Sequence, residues 1–352
     1  MMRKLSKRDM EAYCGDASQL FYIRKCRLEE GKSKGTEALQ IRNGQGLSML
    51  VLPDKCFAIP ELTFQGINVG FISKTGICGP QFYQEEGTRG FLRTFEAGFL
   101  TTCGLTYMGT PGVEDGQANG LHGIISNTPA EYVSHGVYWE DGEAVIRFGG
   151  QAREGHLFGP NMRIIREFQV STTENKLWIR DRVENLAFER TPLMLLYHFN
   201  IGYPMLDESC RLYTNFGEIG SRDGLPKEKA EKSNIFQKPE AGFEEEVYFR
   251  TMKEHVKEGF AMLHNPELEK AVVLKFDPEQ LPILNEWKSP RAGDYALGLE
   301  PGTAHVGGRI RAEKEGSLPY LEAGESRLFE IEVEFIDCTT QDEKRKAFIN
   351  TL

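Results

Sequence analysis

The feature that most constrains the fold of this sequence is a series of short segments in which apolar and polar residues alternate. Successive side chains of a β-strand point to opposite faces, so a two-residue period predicts strands with one buried and one solvated face. The pattern is clearest in residues 162–170, 177–184 and 327–335. A long helical period and an alternating strand–helix pattern are both missing, and glycine occurs 37 times. The sequence therefore predicts an all-β fold, a large antiparallel β-sandwich with few short helices.

Local signals add detail to this prediction. Asn43-Gly44, between two apolar segments, predicts a β-hairpin over residues 38–52. Residues 6–13 predict a short helix, because Ser6 is a good N-cap residue. The most polar stretch, residues 227–246, is predicted to be an exposed loop.

The length of 352 residues allows one large β domain with a sizeable core. We expect one elaborated domain rather than two, since no internal repeat or low-complexity tract divides the chain. The expected parts are an N-terminal extension packing on the sandwich (residues 1–34), the β-sandwich itself (35–340) and a C-terminal tail (341–352).

The net charge and the cysteines limit the functional classes to which this protein can belong. The formal net charge is −10 and no basic patch stands out, which argues against a nucleic-acid partner. Seven scattered cysteines without a C-x-x-C motif are typical of reduced thiols in a cytosol. The charged N-terminus is no secretory signal, and no apolar run approaches the roughly 20 residues that cross a bilayer. We therefore expect a cytoplasmic protein without a membrane partner.

The segment 193–204, LMLLYHFNIGYP, reads as a strand buried on both faces. Strand parity places His198 and Asn200 on one face and Tyr197 on the other. An imidazole and an amide two residues apart at the end of a buried strand suggest the floor of a polar site. A satisfied core histidine is the alternative, and a second polar cluster would decide between the two.

Two further segments supply such groups. In Asn119-Gly120-Leu121-His122-Gly123, glycines flank His122 and allow backbone or ligand to approach it closely. In Tyr295 to Thr303, a strand would place Glu300 on the same face as Ala296 and Gly298. Small neighbours leave space beside the carboxylate that a packed core would fill, so we expect a ligand there. A solvated carboxylate at a strand end is the alternative.

Together these segments resemble the aldose 1-epimerases, the galactose mutarotase family. Residues 119–123 are similar to that family's Asn-x-Leu-His-Gly segment, and residues 197–200 are similar to its second histidine followed by an aromatic residue and Asn. Glu300 stands where the family has its late catalytic glutamate. The resemblance covers residues 35–338 and is closest to a poorly characterised aldose-epimerase-like branch. It implies a galactose mutarotase-like supersandwich with a sugar bound in an open cleft on its concave face.

The resemblance also implies roles. Glu300 would be the base that opens the sugar ring, His198 a protonated acid, and His122 a ligand of the ring oxygen or a neighbouring hydroxyl. No metal or other cofactor is expected. The expected partner is a small-molecule sugar, and the chain would be a monomer or a homodimer.

The sequence departs from the family at its sugar-binding arginine and aspartate. In this sequence we assign Arg93 and Asp294 to these two sugar-binding roles. The remaining candidates for sugar contacts are an amide, two cations and two aromatic residues: Asn200, Lys288, Arg291, Trp287 and Phe95.

Three alternatives remain open at this point. Two histidines and a glutamate are also a metal-ligand set, which would suit a metal-dependent sugar isomerase. The same sandwich can serve a carbohydrate-binding protein without turnover. The positive charges of Arg93 and Arg291 would suit a phosphorylated or acidic sugar as the substrate.

Overall fold

The structure is a computed structural model that describes residues 6–114, 116–251 and 256–339. In these residues two large antiparallel β-sheets pack face to face, and three two-stranded sheets accompany them. The described part of the chain contains four short α-helices: α1 (Lys7–Tyr13), α2 (Gly87–Leu92), α3 (Lys227–Glu231) and α4 (Arg309–Lys314). The strands of the first half are β1 (Tyr22–Arg27), β2 (Glu37–Arg42), β3 (Leu47–Leu52), β4 (Ala58–Phe64), β5 (Ile67–Asn68), β6 (Phe71–Ile72), β7 (Ala97–Gly98), β8 (Leu100–Cys103), β9 (Gly112–Glu114), β10 (Gln117–Asn119), β11 (Glu131–Glu140), β12 (Glu143–Gly155) and β13 (Asn161–Ser171). Those of the second half are β14 (Lys176–Asn185), β15 (Thr191–Pro192), β16 (Leu196–Gly202), β17 (Arg211–Thr214), β18 (Ile219–Ser221), β19 (Glu246–Thr251), β20 (Gly259–Asn265), β21 (Lys270–Phe276), β22 (Ile283–Arg291), β23 (Asp294–Gly302), β24 (Tyr320–Leu321) and β25 (Ser326–Asp337).

The two large sheets contain different numbers of strands. The eleven-stranded sheet has the order β1-β2-β3-β4-β8-β16-β23-β22-β19-β18, with β5 paired to β4. The eight-stranded sheet has the order β11-β12-β13-β14-β25-β21-β20-β17. The two-stranded sheets that accompany them are β6-β7, β9-β10 and β15-β24. β16, the strand that carries His198, lies in the middle of the larger sheet between β8 and β23.

The main core fills the space between the sheets, where Phe199 and Leu299 of the larger sheet join one apolar cluster with Phe168 and Ile331 of the smaller one. A buried ion pair interrupts this apolar layer. Arg166 donates to both carboxylate oxygens of Asp181, at 2.8 and 2.5 Å, and the hydroxyl of Tyr197 donates to the same carboxylate at 2.6 Å. The pair is buried but fully hydrogen-bonded, which is the condition under which a buried ion pair is tolerated.

The predicted fold class is confirmed. The three alternating segments lie in β13, β14 and β25, and the hairpin predicted over residues 38–52 is formed by β2 and β3. The predicted helix is α1, whose N-cap Ser6 accepts a hydrogen bond from the backbone N–H of Asp9 at 3.1 Å.

The prediction of an exposed loop over residues 227–246 is wrong in part. The stretch contains α3, its Phe236 side chain is buried, and Glu246 begins β19 with its side chain buried as well. Polar composition misled the prediction, because the carboxylate of Glu246 is stabilised by Lys229 at 2.5 Å and need not face water.

Residues before 35 join the sandwich directly. β1 pairs along its whole length with β2, and Met10, Cys14 and Phe21 belong to the main core cluster. The C-terminal tail predicted for 341–352 lies outside the described residues, so the domain division stays a prediction. Of the helices in the described ranges, none has the length and apolar character needed to cross a bilayer.

Candidate active site

His198 and Glu300 form a cross-strand pair on the outer face of the eleven-stranded sheet. In the β16–β23 ladder Leu196 pairs with Gly302 and Asn200 with Gly298, so His198 comes directly opposite Glu300. The Nε2 atom of His198 lies 3.2 Å from Oε1 of Glu300, without the geometry of a hydrogen bond. Tyr197 points to the other side, into the core, as strand parity predicted.

Both side chains are almost completely buried, and each retains an unsatisfied atom. Nδ1 of His198 and Oε1 of Glu300 have no hydrogen-bond partner among the described residues. Buried polar atoms without partners are rare and costly in folded proteins. Both residues line the same cavity, so the atoms without partners belong to side chains that a ligand bound there would contact.

Gly298 makes room for the carboxylate. A Cβ atom at this position would lie 2.3 Å from Oε1 of Glu300 and 3.0 Å from Cβ of Trp287. The sequence predicted empty space for a ligand beside Glu300, but the carboxyl group of Glu300 itself occupies the part above Gly298.

His122 enters from a loop with a left-handed backbone. Its φ of 61° and the 69° of Gly123 fold the segment tightly, and its ring centroid lies 5.5 Å from that of His198. The N–H of Gly109 donates to Nδ1 of His122 at 3.3 Å. A neutral imidazole that accepts at Nδ1 carries its proton on Nε2, so His122 presents a donor from that atom.

These three residues line one cavity of about 660 Å³, called here the His–Glu cavity. Aromatic rings form much of its wall. The ring of Phe95 lies 5.2 Å from the His198 ring and that of Trp287 lies 5.8 Å from it. The volume falls within the roughly 300–1,000 Å³ typical of small-molecule sites.

Burial sets the protonation of the pair. Burial, together with the negative charge of Glu245, raises the pKa of Glu300 to about 8. Burial also lowers the pKa of His198 well below its ordinary value, and His122 lowers it further. The expectation that His198 is protonated is therefore wrong for the free site: at neutral pH the pair holds one proton, and Glu300 carries it because both groups are removed from water.

His122 is also neutral. Burial lowers its pKa to about 3, and the positive charge of Arg222 contributes in the same direction. A neutral ring agrees with the hydrogen bond that its Nδ1 accepts from Gly109.

Other predicted site residues divide into two groups. Trp287, Asp294, Arg291 and Phe95 line the cavity. Asp294 is paired with Lys74 at 2.8 Å and with Arg291 at 3.8 Å.

Arg93, Asn200 and Lys288 are not among the lining residues. Arg93 is exposed and paired with Glu86. Lys288 follows Trp287 on β22 and so points to the other face, where its Nζ donates to the carbonyl of Ile235 at 2.6 Å. Asn200 is buried beside the pair and donates to the backbone carbonyl of His198 at 3.0 Å, so it supports the strand rather than reaching the cavity.

Arg222 and Glu245 are among the cavity residues that the sequence analysis missed. Arg222 and Glu245 are paired at 2.9 Å, and the indole N–H of Trp287 donates to Glu245 at 2.9 Å. Both residues lie in or next to polar stretches that carry no motif. Only the pairing of β18 with β19, and of β19 with β22, brings them to the cavity.

The metal-ligand alternative has no support in the geometry. In residues 6–114, 116–251 and 256–339, no three His, Cys, Asp or Glu side chains converge as a metal site requires. His122, His198 and Glu300 surround the cavity without forming such a cluster.

The sequence profile of a family described as Domain of unknown function (DUF4432) matches residues 33–335. The chain belongs to this family. A comparison of the DUF4432 chain with curated protein sequences gives no significant match.

Solved structures resemble the DUF4432 chain over nearly its whole length. A candidate aldose 1-epimerase from Klebsiella pneumoniae is 24% identical, with a TM-score of 0.85, covering 95% of this chain and 90% of its own. A galactose mutarotase-like protein from Clostridium acetobutylicum is 15% identical, with a TM-score of 0.64 and coverage of 91% and 99%. Galactose 1-epimerase from Lactobacillus acidophilus is 13% identical, with a TM-score of 0.58 and coverage of 90% and 99%. The protein is thus a member of a family of unknown function with the galactose mutarotase-like fold.

Proposed function

We propose that this protein is an aldose 1-epimerase, which interconverts the anomers of a sugar by acid/base catalysis in the His–Glu cavity. The observation that carries the proposal is the buried cross-strand pair of His198 and Glu300, 3.2 Å apart, with an unpartnered atom on each residue. The similarity in fold to aldose 1-epimerases supports it.

The pair can supply an acid and a base at once. Ring opening removes a proton from the anomeric hydroxyl and adds one to the ring oxygen, so it needs one group of each kind. A pair that shares one proton meets this need. In the assignment that we propose, the proton first passes from Glu300 to His198 across their 3.2 Å contact.

The carboxylate of Glu300 then takes the hydroxyl proton while His198 protonates the ring oxygen. The ring C–O bond breaks and the carbonyl of the open-chain aldehyde forms. After rotation about the bond to the aldehyde carbon, the ring closes on the other face and the reverse transfers restore the pair.

The cavity walls have roles in binding and orientation. The Nε2–H of His122 is placed to donate to the ring oxygen or a neighbouring hydroxyl. Trp287 and Phe95 offer apolar faces on which a pyranose can stack. Arg222 and Glu245 offer a donor and an acceptor to sugar hydroxyls, in place of Arg93, which lies outside.

Polarimetry of freshly dissolved α-aldoses tests the proposal, with Glu300→Gln as the comparison. We expect the protein to accelerate the approach to anomeric equilibrium and the variant to lose most of this acceleration. If sugars bind, as measured by calorimetry, while anomer exchange stays at the uncatalysed rate, the protein is a carbohydrate-binding protein and the enzymatic proposal fails.

Lys74 and Arg291, two of the cations that line the cavity, share the carboxylate of Asp294. This observation favours a second candidate, an epimerase of phosphorylated or acidic sugars. Comparing kcat/KM for a hexose, its 6-phosphate and its uronic acid separates the two. A clear preference for either anion would support the second candidate.

A further inference from the structure

A second groove lies at one end of the eight-stranded sheet, where the β12–β13 turn and the loop after β14 meet α4 and β9. Its volume is about 1550 Å³. Sixteen large apolar side chains are exposed among the described residues, and five of them line this groove. We call these five the loop patch: Val113, Leu157, Phe158, Phe188 and Ile310. Exposed apolar side chains gathered in this way mark an interaction surface, whereas scattered ones do not.

Two phenylalanines project furthest from the loop patch. Phe158 is 99% exposed and Phe188 is 98% exposed, so neither contributes to the packing of its own chain. Phe158 also has a φ of 62°, in the left-handed region that bulky side chains rarely adopt. Strain of this kind is typical of functional positions. The fold of one chain thus gives no reason for an aromatic side chain at this turn.

The charges around the loop patch indicate what covers it. The charged side chains that line the groove are three carboxylates and three guanidinium groups: Glu114, Glu189, Glu313, Arg153, Arg190 and Arg309. Their sum is zero, although the chain as a whole carries −10. Two copies of so acidic a chain repel each other over most of their surface, and the repulsion is smallest where the local charge is balanced.

We propose that the loop patch is the interface of a two-fold homodimer, in which the phenylalanines of each copy insert into the groove of the other. A two-fold interface requires a surface that is complementary to itself. The loop patch meets this requirement, because it combines projecting aromatic side chains, a groove and equal numbers of both charges. The proposal does not depend on the sugar chemistry.

Both ends of the described chain lie at the other end of the sandwich. β25 begins at Ser326, opposite Glu184, and ends at Asp337, opposite Lys270. At the N-terminal end, Lys7 lies over the ring of Trp139, near the end of β11 where β12 begins. The two described ends of the chain therefore do not cover the loop patch.

Sedimentation velocity of the full chain over a range of micromolar concentrations tests the proposal. We expect the wild type to sediment as a dimer. The double variant Phe158→Gly/Phe188→Ser should raise the dimer dissociation constant by at least about 100-fold, because central aromatic side chains carry most of the binding energy of an interface.

Tyr132→Gly is the matched control. Tyr132 is also exposed and has a φ of 53°, but it lies on β11, away from the groove. This variant should remain dimeric, and circular dichroism checks that all variants are folded. A monomeric wild type would overturn the proposal, as would a double variant that dimerises like the wild type. A monomeric wild type that sediments with phospholipid vesicles would overturn it in favour of a lipid surface.

Discussion

His198 and Glu300 come from two strands that are far apart along the chain and directly adjacent in the sheet, with Nε2 and Oε1 3.2 Å apart. Because both are buried, the pKa of the carboxyl group is raised and that of the imidazole is lowered. The pair therefore keeps a single proton near neutral pH. This relationship underlies the proposed chemistry and its first tests.

Replacing Glu300 by Gln should lower kcat for anomer exchange by about 100- to 10,000-fold, the usual contribution of a positioned acid or base. The melting temperature should change little, because an amide has nearly the shape of the protonated carboxyl group that it replaces. Polarimetry and calorimetric melting measure the two effects. Glu330→Gln, on the exposed face of β25, is the control and should retain full activity. Unchanged activity of Glu300→Gln would remove this residue from the mechanism.

The value of kcat/KM should be highest at the pH values where the pair of His198 and Glu300 holds one proton. Above about pH 8 Glu300 loses that proton, so no acid remains and the rate falls. On the acid side the rate falls only well below pH 6.5, where His198 takes up a second proton and no base remains. A pair with ordinary pKa values would instead lose activity from about pH 6.5 upwards. That outcome, in rates corrected for the uncatalysed reaction, would contradict the protonation assigned to this site.

Gly298→Ala should lower kcat by about 100-fold while KM changes little, since misplacing a catalytic group by about 1 Å costs roughly that much. The new Cβ atom would lie 2.3 Å from Oε1 of Glu300 and displace the carboxylate. Steady-state kinetics measures the effect, and circular dichroism checks the fold. Gly15→Ala, where a Cβ meets nothing within 4 Å, is the matched control. A Gly298→Ala variant with normal kcat would mean that the carboxylate position is not critical.

Arg222→Gln should raise KM by about tenfold, because the cavity loses a charged donor to sugar hydroxyls. It should also move the alkaline limb of the pH profile to higher pH, because the positive charge of Arg222 lowers the pKa of Glu300. Arg93→Gln removes an exposed arginine outside the cavity and should change neither quantity. If the two variants behave alike, Arg222 has no part in binding.

Neutral His122 should be visible by nuclear magnetic resonance. The ¹⁵N shifts of its ring should show a proton on Nε2 and none on Nδ1 throughout the range from pH 5 to 8, because burial lowers its pKa to about 3. His122→Asn, whose side chain tolerates the left-handed backbone, provides the assignment. Titration of this ring near pH 6.5 would contradict the neutral donor role.

Some residues of the candidate site could be predicted from the sequence and others could not. Strand parity correctly separated His198 from Tyr197, whose side chain lies in the core, and placed Glu300 on the same face as Gly298, where the missing side chain leaves room for the carboxyl group. Parity also shows that Lys288 and Trp287, as neighbours on one strand, cannot both face the cavity, and the structure selects Trp287. Arg222 carried no signal, because nothing local distinguishes an arginine in a polar turn from one that reaches a cavity.

By itself the sequence determined which side chains share a face of each strand, since the two-residue period is a property of the extended backbone. It thereby determined the fold class as well. The tertiary structure alone decided that β16 and β23 are neighbours, in a register that places His198 opposite Glu300. It also decided the protonation of the pair, because desolvation depends on everything that packs around the two groups and not on the residues next to them in the chain.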